Sequence, residues 1–479
     1  MSTVADYIVA LDRAHRPGDA TEHTYRPALK TLLESRATNI EATNEPQRIA
    51  GNAPDFVVRR GATILGHVEA KDIGEPLDKL LKSSQLKRYV EALPNLIFTD
   101  YLEFIWIEHG TPKLRVRLGE ETARGIVPVA DAEAEWDKLA QAFHNAVAPT
   151  VATPKQLAQL LAAQTRLLRD ATLDTLHHEG ETGALASQHR AFRELLVPEL
   201  EVQEFADMFA QTVAYGLFTA RVFDPTKDTF SLQEAERLIP KASPFLRQLF
   251  HFIAFDLSDG VRWIAESIVD ALLHADLDKV LHRQSRKRGF TDPIFHFYET
   301  FLAEYDPKLR KQSGSYYTPE PVVGFIVRGV EHLLKTEFGR TAGLADPDTV
   351  ILDPATGTAT FLREVIDRIY DHQVDAGMQG AWPQYVRKHL LPRLFGFEYK
   401  MAPYTVAHLK LSLELTDRGF HFDDGDRLNV FLTNTLDRLQ GKTGELMAQW
   451  LTQEAESAER VKGTVPVEVV LGNPPYLGE

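Results

Sequence analysis

The sequence contains no cysteine. Without cysteine the chain can form neither disulfide bonds nor thiolate zinc sites, which excludes disulfide-stabilised small domains and zinc fingers. It also lacks any run of about 18 uninterrupted apolar residues, so we expect no membrane-spanning helix. The first residues show neither the basic nor the apolar segment of a secretory signal. Together these absences predict a cytoplasmic protein that does not associate with membranes.

The chain also lacks an excess of positive charge. Its 53 Lys and Arg residues face 68 Asp and Glu residues, which gives a formal net charge of −15 at pH 7. This argues against a protein that binds nucleic acid over its whole surface, but it does not exclude a local basic channel. With 479 residues, 44% of them hydrophobic and 25% charged, the composition is that of a soluble globular protein with two to four domains.

Hydrophobic patterning divides the chain into three zones. Residues 1–150 mix helical and strand periodicity, which predicts an α/β domain, whereas residues 151–310 show helical periodicity alone and predict an all-α connector. Residues 311–479 alternate short apolar strands with helices, which predicts a parallel sheet covered by helices. The predicted strands of this last zone are 350–352, 394–397, 430–432 and 467–471. Predicted helices elsewhere include 77–93, 189–222 and 231–256.

Two strands of the first zone carry an acidic pattern. Asp55 opens the predicted strand 55–58, and Glu69 and Lys71 lie two apart on the next strand, so both point to one face. Two carboxylates there could hold Mg²⁺, and Lys71 could orient a metal-bound water. The alternative is a surface hairpin with ordinary charges. The pattern resembles the PD-(D/E)xK nuclease superfamily, which implies a Mg²⁺-dependent endonuclease with Asp55 and Glu69 as metal ligands.

Two further features strengthen this resemblance. Gln85 and Tyr89 lie on the helix that follows the strand and are similar to the Gln-x-x-x-Tyr element of RecB-like nucleases, in which the glutamine belongs to the catalytic site. Glu22 begins a preceding helix, where many of these nucleases place a further metal-binding acid. A packing role for Tyr89 stays open.

A glycine-containing turn follows the first predicted strand of the last zone. Residues 353–361 read DPATGTATF, and such a strand-to-helix turn allows a ligand to approach the backbone closely. The string resembles the first cofactor motif of adenine-N6 DNA methyltransferases, which implies that S-adenosylmethionine is bound by Asp353, Ala355, Thr356 and Gly357. Many relatives have a second glycine where this chain has Ala359. A positive φ at Ala359 would strain the turn.

The same resemblance assigns further cofactor-binding residues. Tyr317, Thr318 and Pro319 are similar to a segment that lies across the cofactor pocket in this class, and Thr318 could at the same time cap the helix that begins near Pro321. Glu398 ends one predicted strand, where relatives bind the cofactor ribose. Asn434 ends another, where relatives often have Asp near the cofactor adenine.

The most specific motif is the tetrapeptide 473–476 (NPPY), which follows a predicted strand. The amino group of adenine is a poor nucleophile, and an Asn oxygen and a Pro carbonyl can accept its two N–H bonds. Proline holds these acceptors rigidly because its ring fixes φ. The motif resembles the catalytic motif of the same methyltransferases, which implies catalytic roles for Asn473, Pro474 and Tyr476, with Tyr476 stacking on a flipped base.

The order of nuclease motif, helical zone and methyltransferase motifs resembles type IIG restriction–modification enzymes and parts of type ISP enzymes. The resemblance implies a multidomain protein that cuts double-stranded DNA and methylates adenine, with an incomplete, Rossmann-like methyltransferase domain at 311–479. The chain shows no Gly-x-x-x-x-Gly-Lys-Ser/Thr motif, so we expect no ATP-driven translocation. A separate chain could carry the remaining strands and the target-recognition domain. The alternatives are a non-catalytic subunit that binds cofactor or partner and gates a nuclease, and a nuclease acting alone.

Overall fold

The computed structural model describes residues 3–37, 39–44, 53–61, 63–146, 151–197, 199–226, 229–281, 293–306, 318–436 and 449–474. The chain divides into two compact units. The first comprises Met1–Ala152, Gln159–His178 and Asp259–Asp276, and the second comprises Thr153–Ala158, Glu179–Ser258 and Leu277–Glu479. Within the described ranges, every helix is too short or too polar to cross a bilayer.

The helices are numbered along the chain, and α6 and α11 contribute to the first unit together with α1–α5. They are α1 Val4–His15, α2 Glu22–Glu34, α3 Leu77–Leu80, α4 Ser84–Ala92, α5 Ala132–His144, α6 Pro154–Glu179, α7 Ala184–Leu195, α8 Val202–Phe223, α9 Leu232–Leu238, α10 Pro244–His251, α11 Asp259–Leu273, α12 Pro293–Tyr305, α13 Glu320–Thr336, α14 Thr360–Asp375, α15 Trp382–Tyr385, α16 Met401–Asp417 and α17 Gln449–Thr464.

A mixed six-stranded sheet forms the centre of the first unit, in the order β1 to β6. Its strands are β1 Ile40–Asn44, β2 Phe56–Arg60, β3 Thr63–Ala70, β4 Asn95–Thr99, β5 Glu103–Glu108 and β6 Thr111–Arg117. Neighbours are antiparallel except β3 and β4, which α3 and α4 connect in parallel. Strand β4 is buried along its whole length, as expected for a central strand. A separate hairpin pairs β7 Gly119–Thr122 with β8 Gly125–Pro128.

The predicted helix 77–93 is interrupted in the structure. It forms the short α3 and then α4, with Ser83 between them. The Ser83 hydroxyl accepts a hydrogen bond from the Leu86 N–H at 3.3 Å and so caps α4. Serine side chains compete with the helical backbone for hydrogen bonds in this way. The apolar periodicity continues through Ser83, so it predicted one helix where the structure has two.

A four-stranded parallel sheet lies in the second unit, in the order β11-β10-β9-β12. Its strands are β9 Ile351–Asp353, β10 Leu394–Glu398, β11 Asn429–Leu432 and β12 Val469–Val470. All four predicted strands are present, and the parallel pairing is confirmed. Helix α17 packs Ala458 and Val461 against the phenylalanines of β10 and β11.

Two long helices predicted in the middle zone are each divided. The segment 189–222 ends one helix at Leu195 and starts another at Val202, and the segment 231–256 forms α9, α10 and a π-helical turn at Phe252–Asp256. Pro240 and Pro244 explain the second division, because proline lacks the N–H that a helix interior requires.

The three predicted zones do not coincide with the two compact units, since residues of the middle zone belong to both units.

Candidate functional site

Three polar side chains follow three neighbouring parallel strands of the second unit. Asp353, Glu398 and Asn434 lie at or just beyond the carboxyl ends of β9, β10 and β11. Strand β9 pairs with β10 on one side and with β12 on the other, so the direction of strand order reverses between β9 and β12. In open parallel sheets, ligands bind at the carboxyl edge beside such a reversal. The predicted cofactor residues are thus gathered at the expected edge.

The turn after β9 is held tightly against β10. The Thr356 N–H donates to the Phe397 carbonyl at 2.9 Å, and the Thr356 hydroxyl donates to the Asp353 carbonyl at 3.0 Å. A Cβ on Gly396 would approach the Thr356 Oγ1 to 2.5 Å. Gly396 is therefore required for this close approach of turn and strand, a role that the sequence alone did not indicate.

Two carboxyl groups face this turn. The Asp353 Oδ1 accepts the Ala355 N–H at 3.1 Å, while Glu398 accepts the N–H groups of Gly357 at 2.7 Å and Lys400 at 2.8 Å. Burial raises the pKa of Asp353 to about 7, and the nearby Glu398 adds to the shift. Burial also raises the pKa of Glu398, against the effect of the backbone N–H groups. Both groups would be stabilised by a ligand that brings positive charge or hydroxyl donors.

Ala359 adopts a left-handed backbone conformation with φ of 61°. It immediately precedes α14 and is fully buried. The position thus has the geometry that favours glycine, and alanine is strained there by about 1–2 kcal/mol.

Asn434 forms hydrogen bonds with its own loop and with α17. Its side-chain oxygen accepts the Leu436 N–H at 3.1 Å, and its carbonyl accepts a hydrogen bond from Lys462 Nζ at 2.7 Å. Lys462 also donates to the Thr433 hydroxyl at 2.9 Å. Lys462 on α17 was not anticipated from the sequence, because a lysine near a helix C-terminus is ordinarily a surface residue.

The structure brings Thr318 and Asn473 together. The Asn473 side-chain N–H donates to the Thr318 hydroxyl at 3.0 Å. The expectation that Thr318 caps a helix is wrong, since Pro319 precedes α13 and no side chain caps it. Asn473 and Pro474 are exposed, and a Cβ on Gly472 would lie 2.6 Å from the Asp353 Oδ1, so the end of β12 adjoins the turn after β9. Tyr317 and Tyr476 lie outside the described residues.

In the first unit, Asp55 and Glu69 lie side by side. Phe56 pairs with Val68, so the preceding Asp55 is opposite the following Glu69. Both carboxyl groups are buried. The Asp55 Oδ2 accepts the Ala70 N–H at 2.7 Å, and Lys71 Nζ donates to the Glu69 Oε1 at 2.6 Å. The three residues of the acidic pattern are therefore assembled.

Arg26 joins this cluster and was missed by the sequence reasoning. It lies on α2 and forms a buried ion pair with the Asp55 Oδ1. Its signal is an arginine among the apolar positions of an amphipathic helix, which contributes the buried Tyr25 and Leu29. Gln85 lies in the first turn of α4 and is partly exposed, while Tyr89 is buried. Glu22 is the first residue of α2, and its side chain lies outside the described part of the structure.

The donor sets differ in how well they fit the implied groups. At the parallel sheet, the Asp353 Oδ2 is buried without a hydrogen-bond partner in the described ranges, which suits the cationic amino-acid end of S-adenosylmethionine. At the mixed sheet, two adjacent carboxylates are ligands of the type Mg²⁺ takes, although Arg26 and Lys71 already neutralise them. Across the described residues, no group of three or more His, Asp or Glu side chains is arranged to hold a metal.

Similarity to a known family is found in the second half of the chain. Residues 290–479 match the model of the N-6 DNA Methylase family. No curated protein matches the sequence significantly. Among solved structures, the DrdV–DNA complex is 23% identical with a TM-score of 0.46 and covers 99% of this chain, which spans 43% of that one. LlaBIII, an ATP-dependent type ISP restriction–modification enzyme bound to DNA, is 19% identical with a TM-score of 0.46, covering 74% and 22% of the two chains. The chain thus spans less than half of either solved chain.

Proposed function

We propose that residues 290–479 form part of an S-adenosylmethionine-dependent adenine-N6 DNA methyltransferase. The observation that carries the proposal is the placement of Asn473 beside Thr318 and beside the turn 353–359, at the carboxyl edge where the strand order reverses. The match to the N-6 DNA Methylase family supports it. The proposed DNA substrate is a duplex, from which adenine would have to be flipped to reach Asn473.

Each residue has a defined task in this proposal. Asn473 donates its N–H to Thr318, which leaves its side-chain oxygen to accept a hydrogen bond from the adenine amino group. The carbonyl of Pro474 accepts the second N–H, and Tyr476 stacks on the base. Asp353 and Glu398 would hold the amino and ribose groups of the cofactor, and the backbone of residues 355–357 would contribute to the same site. The bound cofactor supplies an electrophilic methyl group on sulfur.

Methyl transfer and cofactor binding are measured separately to test this. Tritiated S-adenosylmethionine is incubated with duplex DNA and wild-type protein, Asn473→Ala or Asn429→Ala, and cofactor affinity is measured by calorimetry. We expect Asn473→Ala to abolish transfer while cofactor affinity is retained. Asn429 lies at the start of β11, away from the carboxyl edge, and its variant is the control. Transfer that is unaffected by Asn473→Ala would contradict the proposal.

We further propose that the first unit is a Mg²⁺-dependent DNA endonuclease. The specific observation is the buried Asp55–Glu69 pair with Lys71 on adjacent strands, in a mixed sheet whose β3 and β4 are parallel and joined through α4. Asp55 and Glu69 would hold the metal, which stabilises charge on the scissile phosphate. Lys71 would orient the attacking water, whose oxygen bonds to phosphorus as the bond to the leaving sugar oxygen breaks. Glu22 and Gln85 would complete the site.

Plasmid cleavage with Mg²⁺ tests the second proposal. We expect Asp55→Ala and Lys71→Ala to lose cutting, whereas the exposed Lys82→Ala retains it. Calorimetry should show that Asp55→Ala binds Mn²⁺ with a lower affinity than the wild type does. Equal cutting by all four proteins would rule out the assigned site.

Two other functions are separated by the same assays. A cofactor-binding subunit that gates a nuclease would bind S-adenosylmethionine and change cleavage without transferring methyl groups. A nuclease acting alone would cut DNA with no response to the cofactor.

A further inference from the structure

The first unit contains a cavity of about 510 Å³ that neither proposed activity uses. Its walls come from the starts of β3 and β4, the end of β5, and helices α6 and α11. This volume lies within the range of about 300–1,000 Å³ that is typical of small-molecule sites. Asp55, Glu69 and Lys71 are not among the lining residues.

Two deeply buried polar side chains in its wall carry atoms that lack hydrogen-bond partners within the described residues. His67 is 3% exposed and both of its ring nitrogens are unpaired, while Gln164 is 1% exposed and its Oε1 is unpaired. The Gln164 Nε2 donates to the Ser267 carbonyl at 3.2 Å, which fixes the direction of the amide. Each buried polar atom without a partner destabilises the fold, so a group bound in the cavity that pairs with these atoms would be stabilised there.

A third buried polar side chain of the lining already has its hydrogen-bond partners. Asn95 also lines the cavity, but its amide is satisfied by the carbonyls of Leu65 at 2.6 Å and Phe143 at 2.9 Å and by Trp106 Nε1 at 2.7 Å. An imidazole ring that carries one N–H offers one donor and one acceptor. The deep part of the cavity therefore presents hydrogen-bonding groups from His67 and Gln164.

The surrounding wall is largely apolar and carries no excess of positive charge. Apolar side chains such as Ile64, Pro94 and Leu160 form much of the surface. The charged residues include the basic Arg60 and the acidic Glu108 and Asp270. Arg60 also donates to the His144 carbonyl at 3.1 Å. A phosphate or carboxylate ligand would find no excess of positive charge, whereas a neutral planar heterocycle would meet both apolar walls and hydrogen-bonding groups.

We propose that this cavity binds a nucleobase, with Gln164 Oε1 accepting one of its N–H bonds and the His67 imidazole forming a second hydrogen bond. The base belongs either to a free nucleoside or to a nucleic acid in which it is unstacked. The inference does not depend on the methyltransferase or nuclease proposals, because it uses none of their residues.

Calorimetric titration with adenosine, guanosine, cytidine and thymidine tests the proposal on the full chain. We expect at least one nucleoside to bind the wild type, and Gln164→Leu to weaken that binding by at least about tenfold, since a buried acceptor is lost. The matched control is Gln141→Leu on α5, an exposed glutamine outside the cavity, which should bind as the wild type does. If Gln164→Leu does not fold by circular dichroism, His67→Phe provides the same readout.

A second arm separates the two sources of the base. Competition between the bound nucleoside and single-stranded or duplex oligonucleotides shows whether a base within DNA reaches the same site. Nucleic acid that displaces the nucleoside identifies an unstacked base as an occupant, and failure to displace identifies the free nucleoside. No binding by any of the four nucleosides, with only water in a crystal of the soaked protein, overturns the proposal. Equal affinity in wild type and Gln164→Leu also overturns it.

Discussion

The side-chain N–H of Asn473 donates a hydrogen bond to the hydroxyl of Thr318 at 3.0 Å, although 155 positions separate the two residues. Asn473 follows strand β12, and Thr318 precedes helix α13. The contact fixes the orientation of the exposed Asn473 amide, since its nitrogen donates to Thr318 and its oxygen is left as the acceptor. In the proposed reaction this is the end that meets the adenine amino group.

The role of Thr318 as a positioning residue is tested by two substitutions. Thr318→Val keeps the shape but removes the hydroxyl, so we expect methyl transfer to fall by about tenfold. Thr318→Ser keeps the hydroxyl and should retain most of the transfer. Calorimetry should show little change in S-adenosylmethionine affinity for either variant. If Thr318→Val and Thr318→Ser transfer methyl groups at the same rate, the hydrogen bond has no part in catalysis.

The left-handed backbone at Ala359 predicts that glycine costs less stability at position 359 than at position 355. Ala359→Gly relieves the strain of a φ of 61°, which offsets the entropy and packing that are lost, so we expect stability to stay within about 1 kcal/mol or to rise. Ala355 has no positive φ, and Ala355→Gly should lower stability by about 0.5–1 kcal/mol. Urea unfolding measures both. A larger loss at position 359 than at 355 would contradict the strain assignment.

Gly396 is expected to tolerate no side chain. In Gly396→Ala the new methyl group would collide with Thr356 Oγ1 at 2.5 Å and Leu362 Cδ1 at 3.0 Å, so we expect a loss of about 1–3 kcal/mol and weaker cofactor binding. The matched control is Gly463→Ala on α17, where the space is open and alanine should stabilise the helix by about 0.5–1 kcal/mol. Thermal melts and calorimetry measure the two effects. Unchanged melting and unchanged affinity in Gly396→Ala would show that the turn is not held closely against β10.

The buried ion pair between Arg26 and Asp55 predicts strong coupling. Arg26→Met leaves the Asp55 carboxylate buried without its cation, which should cost about 3–5 kcal/mol. The double variant Arg26→Met/Asp55→Asn should be more stable than the sum of the single changes predicts. In the more exposed pair of Arg36 and Glu133, Arg36→Met should cost about 1 kcal/mol or less. Additive losses at Arg26 and Asp55 would show that the pair is not coupled.

Acid should destabilise the second unit through His408. The Nε2 atom of this buried ring lies 3.0 Å from the Val430 carbonyl oxygen. Burial lowers the pKa of His408 from 6.5 to about 3. The unfolded chain takes up a proton below pH 6.5 and the folded chain does not, so stability is lost as pH falls from about 6.5 towards 3. At pH 5 the loss amounts to about 2 kcal/mol.

His408→Gln tests this titration. We expect its stability to fall less between pH 7 and pH 5 than that of the wild type. The exposed His178→Gln should follow the wild type. Identical pH dependence in all three proteins would rule out His408 as the source of the acid sensitivity.

The sequence predicted those parts of the protein that depend on neighbouring residues. The strand period of two places Glu69 and Lys71 on one face, and the observed contact between them confirms this. Short apolar runs predicted the four strands of the parallel sheet, and Asp353 and Glu398 lie at the strand ends as predicted. The divided helices show the limit of this reasoning, because a periodic apolar face continues through a serine cap or a proline that ends the helix.

Other features became visible only in three dimensions, because they join residues that are distant in sequence. Neither the ion pair of Arg26 with Asp55 nor the cavity between His67 and Gln164 follows from a local pattern. Both depend on which helix packs over which strand.

The sequence by itself determined the strands, the turn after β9 and the identity of the motifs, because backbone preferences and side-chain periodicity are local. Tertiary structure alone decided which charged and polar groups meet. The hydrogen bond from Asn473 to Thr318 joins residues 155 positions apart, so it depends on how the chain folds back and not on a local pattern.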